Sequence, residues 1–115
     1  HPSGFKHALP KPPPRGIISK MPARIGLLTV ELYIGGCRSL KEKRQVVQSL
    51  TARLRNDFNL SVAEVDHHDL HQRACLAIAC VGNRTDFVNQ VLDTVLERLQ
   101  SEGRIVLLET TLEVL

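Results

Sequence analysis

"IGLLTVELYI", Ile25 to Ile34, runs straight into "GGCRSLKEKRQVVQSLTARLRNDFN", Gly35 to Asn59, and the hydrophobic period changes across the two glycines. In the first segment Leu28, Val30, Leu32 and Ile34 share one face while Leu27, Thr29, Glu31 and Tyr33 share the other, the two-residue alternation of a half-buried strand. Gly35 and Gly36 end that strand. Ser39 and Glu42 then form an S-x-x-E capping box that opens a helix. On a 3.6-residue wheel Leu40, Val46, Val47, Leu50 and Leu54 line one arc, and Lys41, Arg44, Gln48 and Arg55 occupy another. The helix is therefore expected to lie on the sheet with a basic stripe outward.

Further along, "LSVAEVD", Leu60 to Asp66, reads as a second strand, and "RACLAIACV", Arg73 to Val81, as a third, apolar one. The polar connection "HHDLHQ", His67 to Gln72, joins them. Asn83 or Thr85 is expected to cap a second helix, in which Val88, Val91, Leu92, Val95 and Leu99 recur at helical spacing until Gly103 stops it. "RIVLLETTLEVL" closes the chain as a fourth strand. The order βαββαβ predicts an α+β ferredoxin-like sandwich over residues 25–115, a four-stranded antiparallel sheet with two helices on one face. In that topology the end of the first strand, the start of the first helix and the second hairpin meet at one end of the sheet. Arg38, Lys41 and Lys43 are thus expected to approach His67, His68, Asp69 and Arg73 in space.

The formal charge of +3 is unevenly distributed. Lys6, Lys11, Arg15, Lys20 and Arg24 precede Ile25 and every acid follows it, so ten cations face twelve acids from Ile25 onward and that part carries a net −2. A general electrostatic case for nucleic acid fails on such a body. Residues 1–24, "HPSGFKHALPKPPPRGIISKMPAR", are Pro-rich, free of acids and without apolar period, and read as a flexible basic tail. The sequence does not begin with Met, and Met21 stands just before the first strand pattern, so this tail reads as a remnant, an upstream-translated extension or part of a longer parent. It holds no apolar h-region of a signal peptide, and no apolar run approaches the roughly 20 residues of a membrane span. A cytoplasmic location is the expectation. Cys37, Cys75 and Cys80 are an odd number without a C-x-x-C pair, which argues against a disulfide framework.

Arg38 to Ala74, "RSLKEKRQVVQSLTARLRNDFNLSVAEVDHHDLHQRA", resembles the YlxP-like family of bacterial proteins of unknown function, chiefly through the pairing of "SLKEKR" with "SVAEVDHHDLHQRA". The similarity runs from about Ile25 to Leu115 and leaves the tail outside. It implies the same ferredoxin-like fold and a gene neighbourhood shared with translation initiation and ribosome maturation factors. It implies no activity or ligand. His71 stands where relatives often carry Trp, a departure that counts against a stacking role there.

Four constellations could carry a function. The turn into the first helix offers free N–H groups and the positive end of the helix dipole, with Gly35, Gly36, Arg38 and Lys41 beside it, but lacks the spacing of a nucleotide P-loop. "DHHDLHQ" is dense in metal-ligating residues, yet neighbouring histidines on a strand end point apart and the spacing fits no usual zinc pattern, so no metal or other cofactor is expected. Cys37 with His67 or His68 lacks a third, orienting group, and no catalytic role is assigned. The open sheet face, expected to carry Thr29, Glu31, Tyr33, Glu64, Glu109, Thr111 and Glu113, is too acidic for RNA stacking. The sequence thus favours a non-catalytic accessory protein that meets RNA or a ribosomal particle through Arg38, Lys41, Lys43, Arg44, His67, His68 and Arg73. A homo-oligomeric interaction module using the open face or the edge strands is the alternative. No small-molecule substrate is identified.

Overall fold

The computed structural model describes residues 22–115. Its elements follow the order β1 (Arg24–Ile34), α1 (Leu40–Asp57), β2 (Ser61–Asp66), β3 (Arg73–Gly82), α2 (Thr85–Gln100) and β4 (Ile105–Val114). The strands form one antiparallel sheet in the order β2-β3-β1-β4, the ferredoxin-like α+β arrangement that the periodicities predict. The expected tail lies outside the described residues as far as residue 21, and β1 begins at Arg24, the last residue of that stretch.

The core forms where three apolar rows meet. Leu28, Val30, Leu32 and Ile34 of β1 are fully buried, beside Ala74, Leu76 and Ile78 of β3. Val46, Val47, Leu50 and Leu54 of α1 and Val88, Leu92, Val95 and Leu99 of α2 close over them in the same cluster. Each such aliphatic side chain contributes roughly 1.5–3 kcal/mol relative to leaving it in water. The fit is closest at Gly26, where a Cβ would lie 2.3 Å from Val88 Cγ1 and 2.6 Å from Leu92 Cδ1. Only a glycine lets α2 approach β1 so nearly.

The loop ends are set locally. Gly36, at φ +80°, turns the chain out of β1. Ser39 Oγ accepts from Glu42 N–H at 3.1 Å, and the Glu42 carboxylate reaches back to the N–H of Arg38 at 2.8 Å, one residue beyond the capping residue itself. The start of α2 differs from the sequence expectation. Arg84 occupies the capping position, and neither Asn83 nor Thr85 caps. The Asp86 carboxylate takes over by accepting from Phe87 N–H at 3.0 Å and from the Arg84 guanidinium.

Two irregularities shape the sheet. Val65 is an extra residue in β2 between the pairs Glu64–Leu76 and Asp66–Cys75, and Leu108 is an extra residue in β4 between Glu109–Glu31 and Leu107–Leu32. Glu64 is the one misplaced member of the expected open face. It lies opposite the core residue Leu76 and two positions from buried Val62, so strand alternation turns it to the helix side.

Candidate functional site

The converging end of the sheet assembles as expected, but its side chains divide over three environments. Lys43 is not part of any outward patch. It is buried at 0% exposure, because position 43 falls on the same helical stripe as Val46, Val47 and Leu50. Its ammonium donates to Glu64 Oε2 at 2.8 Å, to the carbonyl of His67 at 2.8 Å and to that of Arg73 at 3.2 Å. All three ammonium hydrogens therefore have an acceptor, which is what allows the charge to be buried. Those two carbonyls belong to the last turn out of β2 and the first residue of β3. Lys43 thus clasps the hairpin to α1, and the expectation that it binds a partner is corrected to a structural role.

His67 and Arg73 point to the opposite, open face, where both hold Glu31. His67 Nε2 lies 2.5 Å from Glu31 Oε1, and Arg73 Nη2 donates to the same oxygen at 3.2 Å. His67 reaches this position with φ +64°, and the Asp66 carboxylate accepts its backbone N–H at 2.7 Å. The hydrogen bond from His67 holds the Glu31 carboxyl below its usual range, with Arg73 adding to it and burial working against both. Asp66, Cys75, Glu31 and Glu109 form one row across this face. Burial, followed by the nearby Glu31, Asp66 and Glu64, pushes the Cys75 thiol up, the reverse of what a nucleophile needs. Cys37, which the sequence pairs with the histidines, is buried in the core.

The hairpin histidines diverge. His68 is exposed and its Nε2 meets the Glu64 carbonyl at 3.1 Å, on the free edge of β2, while His67 is turned to Glu31. Among the described residues, no group of three His, Cys, Asp or Glu side chains is placed to hold a metal ion.

What remains on the helix side is an exposed stripe: Arg38, Lys41 and Arg44, continued by Gln48. Among the described residues, no carboxylate lies within ion-pair distance of these three cations, and no acid precedes Ile25 to supply one. Three other arginines are neutralised, Arg53 by Glu102, Arg84 by Asp86 and Arg98 by Asp57, with Arg98 also stacked 5.3 Å from the Phe58 ring centre, whereas Arg55 and Arg104 have no carboxylate partner among the described residues. Arg44 stands on the rim of a groove of about 450 Å³ between α1 and β2, whose floor is Val47 and Val62. Across it Arg55 Nη2 donates to the Val62 carbonyl at 2.6 Å. The capping box takes up one N-terminal N–H group of α1, that of Glu42, which donates to Ser39 Oγ, and the Glu42 carboxylate covers the N–H of Arg38 just before the helix. Sequence reasoning gave no functional weight to Glu31 and Glu64, although both stand opposite the cations it selected.

No helix among the described residues is long and apolar enough to cross a membrane. Residues 25–112 match the family described as "Protein of unknown function (DUF503)". The chain is also similar to the "Uncharacterized protein YlxP" of Bacillus subtilis (strain 168), at 35% identity over 77 residues that cover 67% of this chain and 84% of that protein. The match takes in all six elements of the sheet-and-helix body, and with the shared sequence it shows that the chain belongs to the DUF503 family.

Proposed function

We propose that this protein is a non-catalytic cytoplasmic accessory that binds an anionic macromolecule, RNA or a ribosomal particle, through Arg38, Lys41 and Arg44. One observation carries the reading. These three cations are exposed and unpaired at one end of α1, on a body whose net charge is negative and whose other helix has its arginines matched by carboxylates. Exposed charges contribute little to folding, so stability gives no reason for such a cluster. Phosphates supply the complementary charge, and the groove beside Arg44 gives an extended backbone a place to lie. Lys43 is excluded from the surface by burial, and Arg73 and His67 by their engagement with Glu31.

The test compares two triple variants with the same change in net charge. Arg38→Gln, Lys41→Gln and Arg44→Gln together are expected to abolish co-sedimentation with ribosomal particles and binding to ribosomal RNA. Arg53→Gln, Arg84→Gln and Arg98→Gln together are expected to leave binding near wild type. Each lost phosphate contact should lower the salt slope by roughly 0.7–0.9 units. Equal loss in both triples would show a net-charge effect and sink the patch; no loss in the first would do the same.

A further inference from the structure

The sheet has two free edges, and they are finished differently. On β2 the outward carbonyls of Val62 and Glu64 are met by Arg55 and His68, and the bulge at Val65 breaks the regular run. Such coverage is how proteins blunt an edge against strand pairing. On β4 no side chain among the described residues covers the edge beyond Leu108. Leu115 N–H donates to Ile25 O at 2.7 Å and Ile25 N–H to Leu115 O at 3.4 Å, which makes these two residues a hydrogen-bonded pair. The register then runs without a break from Val114 opposite Gly26 to Glu109 opposite Glu31. Alternation therefore turns the N–H and C=O of Glu109, Thr111 and Glu113 toward β1, and those of Thr110, Leu112 and Val114 outward. Leu112 keeps 37% of its surface exposed at the middle of this row.

We propose that the free edge of β4 pairs antiparallel with the same edge of a second copy, with the two-fold axis at Leu112, to give a continuous eight-stranded sheet. The charges select both the occupant and the register. An axis at Leu112 sets Leu112 against itself, Thr111 against Glu113, Thr110 against Val114 and Glu109 against Leu115, so no two side-chain carboxylates stand directly opposite each other. Each outward pair exchanges two backbone hydrogen bonds. An axis at Thr111 sets Glu109 against Glu113 on both sides, and one at Glu113 sets that residue against itself; like charges directly opposite destabilise a pair. An axis at Thr110 draws in the bulged Leu108. A strand that complements itself at one register, along the edge that no side chain among the described residues covers, is suited to a second copy of itself. The α1 stripe lies beside β2 at the far edge of the sheet and stays free in this dimer, so the two readings succeed or fail separately.

The experiment is sedimentation velocity on the full chain over a wide concentration range, joined to amide hydrogen exchange. The mass is expected to rise from 12.8 kDa toward twice that value with concentration. Protection of the Thr110, Leu112 and Val114 amides should rise with it, while Thr111 and Glu113 stay protected throughout. Leu112→Lys and Leu112→Glu should each remain at monomer mass because like charges meet at the axis, and an equimolar mixture of the two should regain the dimer. A wild-type chain that stays monomeric overturns the proposal, as does a dimer that survives Leu112→Lys or a mixture that fails to associate. Protection of the outward amides that ignores concentration also overturns it, since the edge would then be covered within one chain. If either variant does not fold, hydrogen exchange on the wild type decides alone.

Discussion

Replacing Lys43 by Met removes the charge from a site with no exposed surface and keeps most of the volume. Glu64, with only 17% of its side chain exposed, then loses its ion-pair partner, and the His67 and Arg73 carbonyls each lose a donor. Removing one member of a buried ion pair costs about 3–5 kcal/mol, and an unsatisfied buried acceptor about 1–3 kcal/mol. These losses overlap because one ammonium serves all three acceptors, so a total of about 3–5 kcal/mol is expected. At roughly 4 °C per kcal/mol for a domain of this size, Tm should fall by roughly 12–20 °C. Urea unfolding followed by circular dichroism is the assay, with a lower midpoint and an unchanged slope as the sign of a true stability change. Adding Glu64→Met should recover roughly 1–2 kcal/mol, because the stranded carboxylate goes too. A loss under about 1 kcal/mol for Lys43→Met would place the pair among solvated surface contacts and refute the clasp.

Two other outcomes follow from the packing and the open face. Gly26→Ala places a methyl 2.3 Å from Val88 Cγ1, and is expected to destabilise by about 1–3 kcal/mol in the same urea assay; a neutral result would mean α2 lifts freely from β1. Because the folded pKa of Glu31 is depressed below 4.5, its carboxylate contributes stability above that value, and the contribution is lost as pH falls through the lower folded value. Glu31→Gln should therefore flatten the acid side of the stability curve, read from urea midpoints at successive pH values, and an unchanged acid slope would contradict this.

The element order and the core were readable because the apolar spacing of β1, α1 and α2 is regular and each break coincides with a glycine or a cap. Charge alone puts Lys43 at the surface, although its spacing marks it as a core position. Positions 43, 46, 47, 50 and 54 make one helical stripe, and Glu64 follows core Val62 at the strand period. A charged residue at an apolar position on each of two facing elements was a signal for a buried pair. The divergence of His67 and His68 was less accessible, since it depends on a positive φ at His67 that no glycine or asparagine announces. Nothing in "AEVDHH" or "VLLETT" marks Val65 or Leu108 as an extra residue.

Those two bulges bracket a single cross-strand row, Asp66, Cys75, Glu31 and Glu109, one on either edge of the sheet. A bulge bends its strand and increases the local right-handed twist. Two of them at nearly the same level place added twist on both edges beside one row of residues. On the Ile25 and Leu115 side of that row the register runs without a break in every pair of strands. The added twist is therefore concentrated at this acidic row, where β2 and β4 each depart by one residue from the strand they pair with.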